Sequence, residues 1–127
     1  MASTPGRGGT VKRACVRHFI SPDVDLEDFR PEDPDDFWFL VQALVGPCGE
    51  EGEESLQVIV CTPRYLARRA VTEPVIFGRP LVIVNSANLP EILDAIRAAI
   101  EKVEAPTWNQ VADRLSRLGI YEFEDYH

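Results

Sequence analysis

A chain of 127 residues, 45% hydrophobic and 27% charged, fits one water-soluble globular domain. Its formal net charge of −8 excludes a phosphate-neutralising nucleic-acid binder and favours a basic partner. No apolar run approaches the ~18 residues that cross a bilayer, and no apolar signal segment opens the chain, so a cytoplasmic protein with no membrane association is expected.

Residues 1–9 are small, polar and glycine-rich, a mobile tail ahead of a single domain over 10–127. Thr10–Ile20 alternates and predicts a first strand, with Ala14, Val16 and Ile20 on one face and Arg13, Arg17 and Phe19 on the other. Residues 21–36 then hold Asp23, Asp25, Glu27, Asp28, Glu32, Asp33, Asp35 and Asp36 against a single Arg30. Pro22, Pro31 and Pro34 keep this stretch from becoming a long helix. It predicts an ordered loop with a helical turn, anchored by Val24, Leu26 and Phe29.

Phe37–Val45 (FWFLVQALV) is the most apolar run. Its aromatic and β-branched content, and the Gly46-Pro47 that follows, predict a strand in the middle of a sheet. Phe37 and Phe39 share one side; Trp38 shares the other with Leu40, Gln42 and Leu44. If helices cover only the first side, Trp38 stands exposed among carboxylates as an apolar anchor. The turn Gly46–Glu54 adds Glu50, Glu51, Glu53 and Glu54 and leads by an antiparallel hairpin into a third strand, Ser55–Thr62.

Thr62-Pro63 opens a short helix to Ala70, and Val75–Val84 carries another strand, strongest at LVIV. Asn88–Val103 predicts the longest helix, its apolar residues recurring at steps of three and four. Thr107 and Gln110 form a capping box for a second main helix striped by Trp108, Val111, Leu115 and Leu118 and stopped by Gly119. The ending IYEFEDYH predicts a last strand or arm, with Tyr121 and Phe123 on one side and Glu122, Glu124 and Asp125 adding charge. The expected class is α+β: an antiparallel sheet of about four to five strands with two main helices packed on one face.

Nothing in this pattern assembles a catalytic or metal centre. His18 lies in an alternating strand without an orienting partner, and His127 is the last residue. Asp23-Val-Asp25 begins like a calcium loop, but Glu27, Asp28 and Pro34 break its later positions. Cys15, Cys48 and Cys61 form no metal spacing. Their odd number fits reduced thiols, with Cys15 and Cys61 as small core residues and Cys48 in the turn. No cofactor, no metal and no enzyme activity are expected.

The segments SPDVD (21–25), PEDPDDF (31–37), VGPCGEEGEES (45–55), VCTPRYL (60–66), TWNQVADRLSRLG (107–119) and YEFEDY (121–126), in this order, resemble the immunity protein 8 family. The resemblance covers roughly residues 13–127, with Tyr65 and Tyr121 where the family is expected to favour tryptophan. It implies an α+β fold and a cytosolic inhibitor of bacterial polymorphic toxin systems, encoded beside a toxin and neutralising it by binding. Many such toxins are nucleases, whose clefts tend to be basic. The expected partner is a cognate protein toxin, met by the acidic residues of 23–36 and 50–54, Glu122, Glu124 and Asp125, with Trp38 as anchor. The alternative is a toxin-independent protein-binding module or homodimer that uses an exposed sheet face; either monomer or homodimer fits.

Overall fold

The computed structural model describes residues 11–122; the predicted tail, and Phe123, Glu124 and Asp125 of the predicted arm, lie outside them. Three long strands make the middle of the sheet: β1 (Lys12–Ile20), β2 (Trp38–Pro47) and β3 (Glu54–Cys61), each antiparallel to the next. Thr62 ends β3 and caps α1 (Pro63–Arg69), its hydroxyl accepting from the N–H groups of Tyr65 and Phe37. Proline at the first helical position suits that start.

After α1 the chain returns as β4 (Leu81–Ile83), which joins β3 in parallel with Ile59 opposite Leu81. The sheet is therefore mixed, not purely antiparallel as expected. A helix inserted between two strands lets the chain re-enter the sheet in the same direction, which a tight hairpin cannot do. Asn88 caps α2 (Leu89–Glu101), and β5 (Glu104–Ala105), absent from the sequence reading, pairs with Lys12 and Arg13. The Thr107–Gln110 capping box opens α3 (Trp108–Leu115), and β6 (Ile120–Tyr121) lies antiparallel on β3. The order is β4-β3-β2-β1-β5, with β6 also on β3: six strands and three helices among the described residues.

The period of two in β2 sorts its side chains. Phe39, Val41, Ala43 and Val45 are buried, beside Leu56, Val58 and Val60 of β3 and Ala14 and Val16 of β1. Ile92, Ile96 and Ile100 of α2 and Val111 and Leu115 of α3 complete one core on this face. Each Val, Leu, Ile or Phe among them contributes about 1.5–3 kcal/mol when fully buried. The short α1 buries none of its own residues.

β1 departs from its predicted alternation. A bulge between Val16 and His18 inserts Arg17 as an extra residue, so Val16 opposes Val45 but Phe19 opposes Ala43. Phe19 thereby joins the core face, and Ile20, expected beside Ala14 and Val16, is turned outward and 42% exposed. The N–H of Val16 donates to Glu101 and its carbonyl accepts from Arg97. These two α2 side chains, an i,i+4 pair 3.7 Å apart, thus cover part of the edge of β1. Arg97 also lies over the Phe19 ring at 5.3 Å.

Candidate partner-binding surface

The acidic segment joins β1 to β2 at one end of the sheet. Val24, Leu26 and Phe29 pack against the core as predicted, Phe29 meeting the rings of Phe37 and Phe39 at 5.2 and 4.8 Å. With three apolar anchors fixed, the polar residues between them order the backbone locally. Asp25 accepts from the N–H of Glu27 and Asp33 from that of Asp35, side-chain turns typical of aspartate. Ser21 donates to the carbonyl of Leu40 while Asp23 accepts from its N–H, so these two side chains extend the hydrogen bonding along β2 where β1 has ended.

Ion pairs occupy further carboxylates. Asp28 holds Arg30, and Asp33 lies 4.0 Å from Arg64. Asp36 receives two parallel bonds of 2.9 and 3.0 Å from Arg68. This hydrogen bonding holds the Asp36 carboxyl below the usual carboxylate range. Glu27, Glu32 and Asp35 are exposed, with no side-chain partner among the described residues. Of these, Glu32 lines a depression of about 530 Å³, together with Asp28, Phe29, Asp36, Trp38 and Arg68. Trp38 is 48% exposed, with its ring 6.1 Å from Tyr65, which in turn lies 5.5 Å from the guanidinium of Arg68.

The second acidic group, Gly46–Glu54, sits at the opposite end of β2. The strand stretch 38–45 separates it from the loop, a span of roughly 27 Å. The two groups therefore flank β2 at its two ends, as their order in the sequence implies, and are not adjacent. This turn is held to β1 by several bonds. One Arg17 nitrogen donates to the carbonyls of Pro47, Glu50 and Gly52, Lys12 pairs with Glu50, and the N–H of Cys48 donates to Arg13.

Cys15 and Cys48 form a disulfide, which overturns the expectation of three reduced thiols. The strand pairing sets Cys15 opposite Gly46, and the turn folds Cys48 back to a Cα–Cα distance of 5.1 Å. Cys15 is accordingly half-buried instead of a core residue. Cys61 stays free and buried, and burial pushes its thiol up, which makes it a packing residue and a poor nucleophile.

The remaining predicted residues divide. Among the described residues, exposed Glu51 has no partner and Glu53 reaches only His18, at 4.0 Å. Glu54 turns toward the core side, accepting from the Trp108 indole at 2.8 Å and from the Tyr121 hydroxyl. Glu122 accepts from the N–H of Ser55 and clasps β6 to β3. Glu124 and Asp125 lie outside the described residues. Sequence reasoning did not single out the exposed Ile20, Val71, Val75, Phe77 and Ile83. For Ile20 the missing signal is the bulge, which has no simple composition cue.

Despite the density of carboxylates, no group of three or more His, Cys, Asp or Glu among the described residues is placed to hold a metal ion. Nor is any of their helices long and apolar enough to cross a membrane.

A small acidic α+β domain, with a stiffened loop of carboxylates beside an exposed tryptophan, has the make-up of a protein that acts by binding. The chain belongs to the immunity protein 8 family, whose model matches residues 14–126. That family is generally non-enzymatic, and membership points to an immunity protein of a toxin system with a cognate toxin as partner. Neither a curated protein nor a solved structure matches the chain.

Proposed function

We propose that this chain neutralises a cognate toxin of a bacterial polymorphic toxin system, in the cytoplasm, by direct binding through its acidic surface. The observation that carries the reading is the loop end of the sheet. There Glu27, Glu32 and Asp35 are exposed and unpaired among the described residues, Glu32 sharing a depression with half-exposed Trp38, on a backbone fixed by core anchors and side-chain turns. A preformed surface of this kind loses little conformational entropy on docking. The target chemistry it fits is a basic cleft, such as a nuclease uses to hold phosphate. Complementary fields also speed encounter, by up to a few orders of magnitude at low salt.

The test uses the product of the adjacent reading frame and a Glu27→Lys, Glu32→Lys, Asp35→Lys variant in stopped-flow association. Slower association at low ionic strength, a flatter salt dependence and faster dissociation are expected, since the three carboxylates both steer and touch the partner. Equal on-rates for variant and wild type at low salt would refute steering by this loop. A wild-type chain that neither binds that product nor protects cells expressing it would refute the immunity reading itself.

A further inference from the structure

Among the described residues, the sheet face opposite α2 and α3 carries no layer of helices over its middle. It consists of Trp38, Leu40, Gln42 and Leu44 of β2, with Ile59, Gln57 and Ser55 opposite them on β3 and Ile20 and His18 on β1. Trp38 and Ile20 are 48% and 42% exposed, and Leu40, Leu44 and Ile59 are half-buried at the surface. Both ends of this apolar strip are acidic. The carboxylate loop borders Trp38, where Asp36 lines the same depression, and Glu53 borders His18 at the other end.

We infer that this open face, from Trp38 to Leu44, is the docking surface, and that its occupant is a basic protein surface, not a second copy of this chain. The inference rests on the immunity reading, since it assigns the face to the toxin. The occupant follows from charge. Two copies stacked face to face with strands aligned put carboxylate loop on loop and turn on turn. Reversing one copy puts loop on turn, so each arrangement sets acid against acid at both ends of the strip. Crossing the copies at a right angle keeps the ends apart but leaves only the centres of two narrow strips in contact. A partner with an apolar patch flanked by Lys or Arg meets no such penalty.

Size points the same way. From Trp38 to Leu44 the strip runs about 20 Å, and three strand axes span about 10 Å, so its central area is roughly 200 Å². A stable interface buries about 800 Å² on each partner. The acidic ends must therefore take part, which joins the separated clusters in one function: each grips one end of a partner laid along the strands. Gln42 and Gln57, opposite each other mid-strip, offer amides for register.

Calorimetric titration with the product of the adjacent reading frame tests this. Trp38→Ala is expected to lower affinity about 30-fold or more, as loss of a central aromatic anchor does. Ile20→Lys, at an exposed strand end where misfolding is not at issue, should weaken binding by placing a cation against a basic partner. Glu53→Lys should weaken binding, and Phe77→Ser, exposed elsewhere, should leave it unchanged. If wild type binds while Trp38→Ala and Ile20→Lys bind equally well with native circular dichroism, the open face is refuted and the immunity reading stands. Normal binding by Glu53→Lys overturns the two-ended grip. Sedimentation should show a monomer; a dimer that Ile20→Lys dissociates would overturn the assignment of the occupant. If wild type does not bind, both readings fall.

Discussion

Reduction of the Cys15–Cys48 bond should destabilise the protein without dismantling its fold. The bond spans 33 residues of sequence, from β1 through the acidic loop and all of β2. Closing a loop of that length removes about 12.5 cal/mol/K of entropy from the unfolded chain, or about 3.7 kcal/mol at 25 °C. With an unfolding entropy near 2.1 cal/mol/K per residue over 127 residues, the corresponding loss in Tm is about 14 °C. The native arrangement persists because Arg17, Lys12 and the N–H of Cys48 still tie the turn to β1. The assay is a thermal melt of wild type with and without reductant, beside a Cys15→Ser, Cys48→Ser variant. Oxidised wild type should melt well above the other two, with all three sharing one far-ultraviolet circular dichroism spectrum at 25 °C. Alkylation of the folded, oxidised protein should modify neither Cys15 nor Cys48. A melt indifferent to reductant, or ready labelling of those two thiols, would refute the account.

Three further outcomes concern the seam where β6 and the turn after α3 close against β3. The Tyr121 hydroxyl is pushed far above the ordinary phenol range, first by burial and then by its hydrogen bond to Glu54. The folded value lies above the unfolded one, so this group's contribution is fully present below about pH 10 and is lost as pH rises toward the folded value. An absorbance titration should therefore show one tyrosine ionising only as the protein unfolds in alkali. Three tyrosines titrating together near pH 10 would contradict it. Glu54→Ala removes the acceptor of both Trp108 and Tyr121 and should cost about 1–3 kcal/mol in chemical denaturation. Gly119→Ala places a methyl group 2.3 Å from the carbonyl oxygen of Gln57, a backbone atom that cannot swing away. A loss of about 1–3 kcal/mol is expected from denaturant midpoints, and an unchanged midpoint would show that the seam can open locally.

Features carried by local pattern were legible in the sequence. The Thr62 and Thr107 caps, Pro63 at the start of α1, and the buried face of β2 all rest on residues within a few positions of each other. So did the three anchors of the acidic loop. Features set by distant neighbours were not legible. The two-residue β5 is a strand only because Lys12 and Arg13 lie beside it. The parallel entry of β4 depends on where α1 delivers the chain. The phase of Ile20 depends on an extra residue at Arg17, which is stabilised by the turn carbonyls it binds. Cysteine pairing likewise required the register of β1 against β2.

The candidate surface shows the same division, and it bears on how acidity works here. Composition counts a carboxylate whether or not a neighbour already holds it. Eight carboxylates in residues 21–36, against Arg30, Arg64 and Arg68, leave a net charge of −5 at the loop end. That sum includes Asp23 and Asp25, whose hydrogen bonds to backbone N–H groups leave their charge intact. Beyond one Debye length, about 8 Å at physiological salt, an approaching partner feels only what remains of this net field. At contact the count is different: only Glu27, Glu32 and Asp35 can exchange water for a partner's Lys or Arg without breaking a bond inside the loop. Loop charge should therefore govern association, while dissociation depends on Trp38, Ile20 and those three carboxylates. Neutralising Asp25 tests the split, since it lowers the field but removes no contact: it should slow association and leave the dissociation rate unchanged.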